Sequence, residues 1–345
     1  MKVTEAKTIL VTFLMQLGDL ILITPFLTAL RRAAPDAKIT LLMDERWRDV
    51  MTGNEDVDEI LTIDRKGRDN RLMALWHHSR KLKTRGFDMT VNLNPSERCS
   101  FLAAFSGAKY ITGPTPAVFR PWFDRVLKLD RKRHAADMYL DILTQMGVVS
   151  LSHDGLKIRV LPEHEKEANA FFSGKVSDSD KIIGFNIGSA SATKCWLPER
   201  FAEVADELAG KDYKVVFFGS KAELPMVKAA VSLMKEKAIV ATGQFSVGAL
   251  AAALRRLTLL ITNDSGPMHI AVSQKTPLVA LYGPSKPELY GPYAFSESTV
   301  VQAEPLCMGC NVRMKHQCND MRCMNDLTTQ QVLDATYMTL RGSST

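Results

Sequence analysis

The chain has 345 residues, the size of about two domains at roughly 150 residues each. Its composition, 46% hydrophobic and 24% charged, excludes disordered and fibrous proteins. The formal net charge of +6 favours an anionic ligand or an anionic membrane surface, and no nucleic-acid partner is expected because such proteins are generally more basic.

The most apolar stretch, residues 8–30, contains Gln16, Gly18, Asp19 and Pro25. A membrane span needs about 20 nearly uninterrupted apolar residues, so this stretch is not predicted to cross a bilayer. The first seven residues mix an acidic residue with lysines and do not resemble a signal peptide. We therefore expect a cytoplasmic protein with reduced thiols.

Strand-like apolar runs alternate with helix-like spacing along the chain, which predicts an α/β fold with parallel sheets. Runs such as residues 9–11 lack polar alternation, as expected of strands covered on both faces. Strands are predicted at residues 8–14, 38–43, 59–63, 89–93 and 109–112 in the first half. The second half is predicted to have strands at 181–187, 214–218, 238–241, 257–262 and 277–281, and helices at 198–209, 222–235, 246–255 and 266–273.

A polar stretch at residues 173–180 has the composition of a linker. It predicts two similar domains, 1–175 and 176–345. Ligands of such sheets bind at the carboxyl ends of the strands, so a cleft between the two domains could take one substrate on each side.

The turn Asn263-Asp264-Ser265-Gly266-Pro267 follows an apolar strand and precedes a helix. Exposed amides and the helix dipole at such a turn suit a phosphate or diphosphate. The alternative is that Asp264 or Ser265 only caps the helix.

Other strand ends in the second half are small and polar, with one lysine and one further carboxylate. A nucleotide with a diphosphate would suit these groups, although Lys194 taken alone is more typical of an exposed surface lysine. The predicted donor-binding residues are Ser189, Lys194, Gly219, Glu223, Gly243, Ser246, Asp264, Ser265, Gly266, Pro267 and His269.

In the first half, Gly18 and Asp19 follow the first strand. Asp19 is a candidate general base, and the alternative is a carboxylate that stabilises the start of the next helix. Basic residues near later strand ends together suggest an acceptor rich in phosphate or carboxylate at a membrane surface, whereas any one of them alone would usually belong to a solvated basic face. The predicted acceptor-binding residues are Arg65, Lys66, Arg98 and Arg120.

Four of the six cysteines, Cys307, Cys310, Cys318 and Cys323, lie close together in the sequence. The first pair has the spacing of a zinc knuckle, but the second pair is more widely spaced. We favour free thiols or adventitious disulfides over structural zinc. Cys99 and Cys195 are expected to be packing residues.

Three motifs stand out along the chain. They are Leu17-Gly18-Asp19 with Thr24-Pro25, Lys194 with Trp196 and Pro198, and Asn263-Asp264-Ser265-Gly266-Pro267-Met268-His269 with Leu281-Tyr282-Gly283-Pro284. Together they resemble glycosyltransferase family 9, the ADP-heptose:lipopolysaccharide heptosyltransferases. The resemblance implies the GT-B architecture of two Rossmann-like domains facing across a cleft. The first would bind the acceptor and the second the donor, with a final helix that packs back on the first.

The resemblance also implies an inverting transfer of a heptose from ADP-heptose to the inner core of lipopolysaccharide, with no metal and no other cofactor. Asp19 would be the base and Lys194 the phosphate-binding lysine. Glu223 would contact the ribose, residues 243–246 the adenine, and the turn at Asp264 the sugar and diphosphate. Peripheral contact with the inner face of the cytoplasmic membrane is expected.

Other functions remain open at this stage. The donor could be another nucleotide-activated sugar of cell-envelope glycan synthesis, or the chain could be a non-catalytic nucleotide-binding protein. A dinucleotide enzyme is disfavoured because the turn at residues 15–19 lacks the G-x-G-x-x-G pattern.

Overall fold

The computed structural model describes residues 1–303, 318 and 320–342. The chain divides into two compact units, Met1–Arg159 and Val160–Thr345. In both, strands alternate with helices, as the apolar pattern predicts.

The first unit is an α/β unit with one parallel sheet. Its strands are β1 (Thr8–Thr12), β2 (Lys38–Asp44), β3 (Glu59–Ile63), β4 (Met89–Asn92), β5 (Tyr110–Gly113) and β6 (Arg125–Val126). Its helices are α1 (Leu17–Leu22), α2 (Thr24–Ala33), α3 (Arg48–Met51), α4 (Leu72–Lys83), α5 (Glu97–Ala104) and α6 (Ala135–Gln145).

The second unit repeats this arrangement within its described residues. Its strands are β7 (Ile182–Asn186), β8 (Lys214–Phe218), β9 (Ala238–Val240), β10 (Leu259–Asn263), β11 (Leu278–Tyr282) and β12 (Ser298–Gln302). Its helices are α7 (Pro162–Phe172), α8 (Pro198–Ala209), α9 (Leu224–Leu233), α10 (Val247–Leu254), α11 (Gly266–Ser273), α12 (Pro287–Tyr290), α13 (Arg322–Asn325) and α14 (Thr329–Gly342).

Both sheets have the same strand order. It is β3-β2-β1-β4-β5-β6 in the first unit and β12-β11-β10-β7-β8-β9 in the second, and every pairing is parallel. In each, the first and fourth strands lie side by side at the sheet centre. The loops after these two strands diverge, which leaves a crevice at their carboxyl ends where doubly wound folds bind ligands.

The central strands form the cores because both faces are covered. All residues of β7, β10 and β11 are buried, as are the last four residues of β1. Continuous apolar runs of this kind are the pattern of parallel strands between helix layers. The ten predicted strands and four predicted helices are therefore all present, with ends that differ by a few residues.

Each sheet ends in a strand that the apolar pattern did not predict. β6 has two residues and pairs only with β5, and β12 pairs with β11 at the corresponding edge of the other sheet. Edge strands are covered on fewer sides, so they need fewer apolar residues and leave a weaker signal.

The joint between the units falls at Arg159, earlier than the expected position near residue 175. Helix α7 belongs to the second unit, where it packs on α10. Phe171 and Phe172 lie 5.0 and 6.3 Å from the ring of Phe245, measured between ring centroids. The polar stretch after α7 is therefore a loop within the second unit.

Helix α14 packs against β11, β12 and α8 of the second unit. Val332 and Ala335 are buried in the core of that unit.

Among the described residues, every helix is too short or too polar to span a lipid bilayer.

Candidate functional site

In the second unit, the loops after β7 and β10 are joined by a buried asparagine. Asn186 and Thr262 are partners at the ends of these strands. The Asn186 amide donates to the Gly188 carbonyl at 3.2 Å and to the Ser265 hydroxyl at 3.0 Å. Two of the predicted donor loops therefore lie side by side at the sheet centre.

An ion pair crosses between these loops. Lys194 ends a short 3-10 turn (Ala192–Lys194), and its Nζ donates to Asp264 Oδ2 at 2.6 Å. The side chains are 23% and 7% exposed, respectively. The Ser189 hydroxyl also donates to the Asp264 backbone carbonyl, at 3.1 Å. Lys194 is thus a half-buried cation fixed by its ion pair with Asp264, rather than a freely exposed surface lysine.

Helix α11 begins directly after this ion pair. Ser265 is its N-cap residue and Pro267 lies in its first turn. The Ser265 hydroxyl is engaged by Asn186, and the Asp264 carboxylate by Lys194. Pro267 has no N–H, and the Met268 N–H donates to the Ser265 carbonyl at 3.2 Å, so the amides at this end that can meet an anion are those of Ser265 and Gly266. His269 is buried one turn further along, at 4% exposure.

Glu223 lies beside the same loops. Its Oε2 accepts from the Ser220 N–H at 2.6 Å and the Ser220 hydroxyl at 2.9 Å. Its Oε1 lies where a Cβ of residue 188 would be, so only glycine fits at Gly188 without moving the carboxylate. Gly219 adopts φ +153°, and its carbonyl accepts from Gly243 N–H at 2.7 Å.

Ser246 has a structural role in addition to the predicted one. Its hydroxyl accepts from Ala249 N–H at 3.2 Å, which caps α10. Its N–H and hydroxyl donate to the two carboxylate oxygens of Glu167 on α7, at 2.9 and 3.1 Å. The contact of Ser246 with an adenine stays a prediction.

Two buried residues support the loops around Asp264. The Asn263 side chain donates to the Ile187 carbonyl at 2.7 Å and accepts from Trp196 N–H at 3.2 Å. The Tyr282 hydroxyl donates to the Tyr290 carbonyl at 2.8 Å. Burial raises the pKa of Tyr282 far above its usual value, and the negative charge of Asp264 raises it further, so Tyr282 stays protonated.

Sequence reasoning missed Asn186 as a site residue. The available signal was a polar residue at the end of a fully apolar strand. Such a residue is tolerated there because its amide has partners in both neighbouring loops.

In the first unit, Asp19 lies in the first turn of α1, as predicted. Gln16 is the N-cap residue of that helix, so Asp19 is its third helical residue rather than its cap. The loop before it leaves β1 at the sheet centre, beside β4. Asp19 therefore lies at the position where a doubly wound sheet presents catalytic or binding groups.

Arg65 supports the loop that leads to Asp19. Its Nη1 donates to the Leu14 carbonyl at 2.7 Å, and its Nε donates to Asp44 Oδ2 at 2.5 Å. Arg46 also donates to both oxygens of Asp44, at 2.9 Å each. Burial would raise the pKa of Asp44, but these hydrogen bonds hold the pKa at about 2.

The other predicted acceptor-binding residues differ in their surroundings. Arg98 donates to the Asn70 carbonyl and side-chain oxygen at 3.1 and 3.0 Å, and to the Arg65 carbonyl at 3.5 Å. Lys66 is exposed near Arg65, and Arg120 is exposed on the 3-10 helix Ala117–Trp122. The structure thus brings Arg65 and Arg98 together, with both already bonded to protein groups.

Cys307 and Cys310 lie outside the described residues. Among the residues that the structure describes, no group of three or more His, Cys, Asp and Glu side chains is arranged to hold a metal. Burial raises the pKa of the Cys99 thiol to about 11 and also raises that of Cys195. Both thiols stay protonated near neutral pH, in agreement with packing roles.

The fold and the central loops define a protein of the GT-B class, with two Rossmann-like units. The chain matches the family described as "Glycosyltransferase family 9 (heptosyltransferase)" over residues 75–319. The chain therefore belongs to glycosyltransferase family 9.

Known proteins resemble the chain over most of its length. The lipopolysaccharide core heptosyltransferase OpsX of Haemophilus influenzae is 25% identical over 297 residues, covering 84% of this chain and 83% of that protein. The crystal structure of a family 9 glycosyl transferase from Veillonella parvula is 44% identical, with a TM-score of 0.92, and covers 99% of this chain and 98% of that one. The E. coli heptosyltransferase WaaC, solved with ADP, has a TM-score of 0.73 at 15% identity, with 96% and 99% covered.

Proposed function

We propose that the protein transfers a heptose from ADP-heptose to the inner core of lipopolysaccharide, with inversion at the anomeric carbon and without a metal ion. The family and the names of the relatives support the reaction class. The observation that carries the proposal is the ion pair of Lys194 and Asp264 at the start of α11, because it places a cation beside a helix N-terminus.

The second unit would bind the donor. Lys194 and the amides of Ser265 and Gly266 would face the diphosphate, with Ser189 and His269 beside them. Glu223 would accept hydrogen bonds from the ribose hydroxyls, and residues 243–246 would line the adenine. One carboxylate oxygen of Glu223, Oε2, accepts both hydrogen bonds from Ser220. These bonds fix the orientation of the carboxylate, so its second oxygen, Oε1, lies beside Gly188.

The first unit would bind the acceptor. Asp19 would take the proton from an acceptor hydroxyl as its oxygen attacks the anomeric carbon from the face opposite the diphosphate. The C–O bond to the diphosphate breaks in the same step, so negative charge accumulates on the leaving group. Lys194 and the amides of Ser265 and Gly266 would stabilise that charge, a role that a metal ion fills in other enzymes.

Arg65, Lys66, Arg98 and Arg120 would provide the positive surface for a phosphorylated acceptor. Arg65 would act mainly through the Leu14 carbonyl, by holding the loop before Asp19. Action at the inner face of the cytoplasmic membrane follows from a lipid-linked acceptor.

The test is a transfer assay with ADP-heptose and a truncated lipopolysaccharide core, in which released ADP and the mass of the product are measured. The anomeric configuration of the product, read by NMR, tests inversion, and unchanged turnover in EDTA tests metal independence. The second candidate donor is another nucleotide sugar. Transfer from a UDP- or GDP-sugar, with none from ADP-heptose, would reject the proposed donor.

A further inference from the structure

The first unit exposes large apolar side chains on two neighbouring segments. Leu72 and Met73 on α4 are both 80% exposed, and Trp76 is 51% exposed. Val118 and Trp122, on the 3-10 helix Ala117–Trp122, are 62% and 46% exposed. Contiguous exposed apolar groups of this kind mark interaction sites. We call these five residues the aromatic surface.

Ring contacts join the two segments into one surface. The Trp76 ring lies 5.6 Å from Phe105 and also 5.6 Å from Phe101, between centroids. The Trp122 ring lies 5.5 Å from the same Phe105 and 6.3 Å from Phe119. Helix α5, which carries Phe101 and is followed directly by Phe105, packs on both segments. Both tryptophans are therefore anchored on the same rings while about half of each side chain stays in solvent.

On α4, the three apolar residues lie on one face of the helix. Trp76 follows Leu72 by four residues and Met73 by three, which are the spacings of neighbours on a helix surface. The Leu72 and Met73 side chains thus lie next to the Trp76 ring and form one continuous apolar area with it.

The two segments that carry the aromatic surface are basic in sequence, although Arg65, Arg68 and Arg85 pair with carboxylates outside them. Residues 64–85 contain eight Lys and Arg against two Asp, and residues 117–133 contain six against two. These two segments carry a formal charge of +10, so the rest of the chain, within a total of +6, carries −4. Arg71, directly before α4, and Arg120, between Val118 and Trp122, are both exposed.

We propose that the aromatic surface inserts into the boundary between headgroups and acyl chains of an anionic lipid bilayer. Tryptophan favours this depth because its ring is apolar and its N–H can stay hydrated. Arg71 and Arg120 would contact lipid phosphates, because basic side chains beside an inserted apolar face add attraction to anionic lipids. A second copy of the chain is a poorer occupant, since a symmetric contact would bring two strongly basic surfaces together.

The test is co-sedimentation of the full chain with vesicles of phosphatidylcholine, alone or with one third phosphatidylglycerol. The wild type should bind the anionic vesicles at least tenfold more strongly than the neutral ones. The double variant Leu72→Ser/Met73→Ser should lose about tenfold or more of that binding, because it removes two apolar side chains from the inserted face. Both positions are too exposed to affect folding, which unchanged thermal denaturation would verify.

A matched control replaces exposed apolar residues outside the surface. Val149 and Met338 are 99% and 60% exposed. Val149→Ser/Met338→Ser should bind anionic vesicles as the wild type does. An equal loss in both double variants would show a general effect of surface hydrophobicity and overturn the proposal.

Brominated lipids give an independent readout of insertion. They quench tryptophan fluorescence only within the acyl region, so Trp76 and Trp122 should be quenched. Trp76→Phe/Trp122→Phe should lose that quenching, because the two tryptophans that remain lie outside the aromatic surface: Trp196 is fully buried in the second unit, and Trp47 is partly buried in the first. Quenching that persists in this variant would place the contact elsewhere and contradict the proposal.

Two further results would also overturn it: full binding by Leu72→Ser/Met73→Ser, or a dimer without lipid that this variant abolishes. The vesicle assays contain no sugar nucleotide and no acceptor. A failure of the proposed heptosyl transfer would leave their outcome unchanged, and the two proposals can fail separately.

Discussion

Lys194 and Asp264 are 70 residues apart in the chain, yet the lysine Nζ lies 2.6 Å from the aspartate Oδ2. The pair is half-buried, so it is less screened by water than a surface ion pair. Lys194 lies in the loop after β7 and Asp264 in the loop after β10, and these are the two central strands of the second sheet. A phosphate that enters here would meet a lysine whose position is already restricted.

Lys194→Ala is expected to weaken ADP binding about 10- to 100-fold, because hydrogen bonds to charged groups contribute about 1.5–3 kcal/mol. Isothermal titration calorimetry of ADP measures this. Lys228→Ala, which removes an exposed lysine on α9, is the control and should bind ADP normally. Equal affinities of Lys194→Ala and wild type would remove Lys194 from the phosphate site.

Asp19→Asn is expected to lower the rate of sugar transfer about 10²- to 10⁴-fold, the usual contribution of a general base. ADP affinity should not change, because Asp19 is proposed to act on the acceptor. Asp36→Asn, at an exposed position of the same unit, should leave both quantities unchanged. Transfer by Asp19→Asn within threefold of wild type would reject the base assignment.

Gly188→Ala tests the orientation of Glu223. The added methyl group would overlap the Glu223 carboxylate, which can swing away because it is the end of a flexible side chain. We expect a small loss of stability and a drop in ADP affinity similar to that of Glu223→Gln. Gly210→Ala is the control, since a Cβ there meets its nearest atom at 3.4 Å. If Gly188→Ala and Glu223→Gln both bind ADP like the wild type, Glu223 does not contact the ribose.

Asp44→Asn tests the network that holds the loop before Asp19. At pH 7 we expect it to lower the free energy of unfolding by about 2 kcal/mol, because Arg46 and Arg65 lose a charged acceptor. The neighbouring control Glu45→Gln breaks an exposed pair with Arg68 and should cost under about 1 kcal/mol.

The effect of Asp44→Asn should depend on pH in a defined direction. The pKa of Asp44 is about 2 in the folded protein, below the ordinary aspartate value of 3.8 that applies to the unfolded chain. A lowered pKa stabilises the folded state above the unfolded pKa, and this stabilisation is lost as pH falls through the folded pKa. Denaturant unfolding should show the gap between wild type and variant narrowing from pH 4 to pH 2. A gap that widens over this range would contradict the assignment.

The sequence by itself was sufficient to predict the fold class, most of the strands and the positions of the loops after β1, β7 and β10. Buried parallel strands must be apolar on both faces, so β1, β7, β10 and β11 are visible as short apolar runs. The turn at Asp264 is equally local, because a polar turn between a strand and a helix involves adjacent residues.

Only the tertiary structure decided which distant groups meet. The pairing of Lys194 with Asp264, the bridge from Arg65 to Leu14 and the rings around Phe105 join residues that are far apart in the chain. Apolar periodicity reports whether a residue is covered but not by what. Long-range packing also decided three further features: the edge strands β6 and β12, the placement of α7 in the second unit and the exposure of the aromatic surface. Local sequence patterns cannot predict contacts between residues that are far apart in the chain.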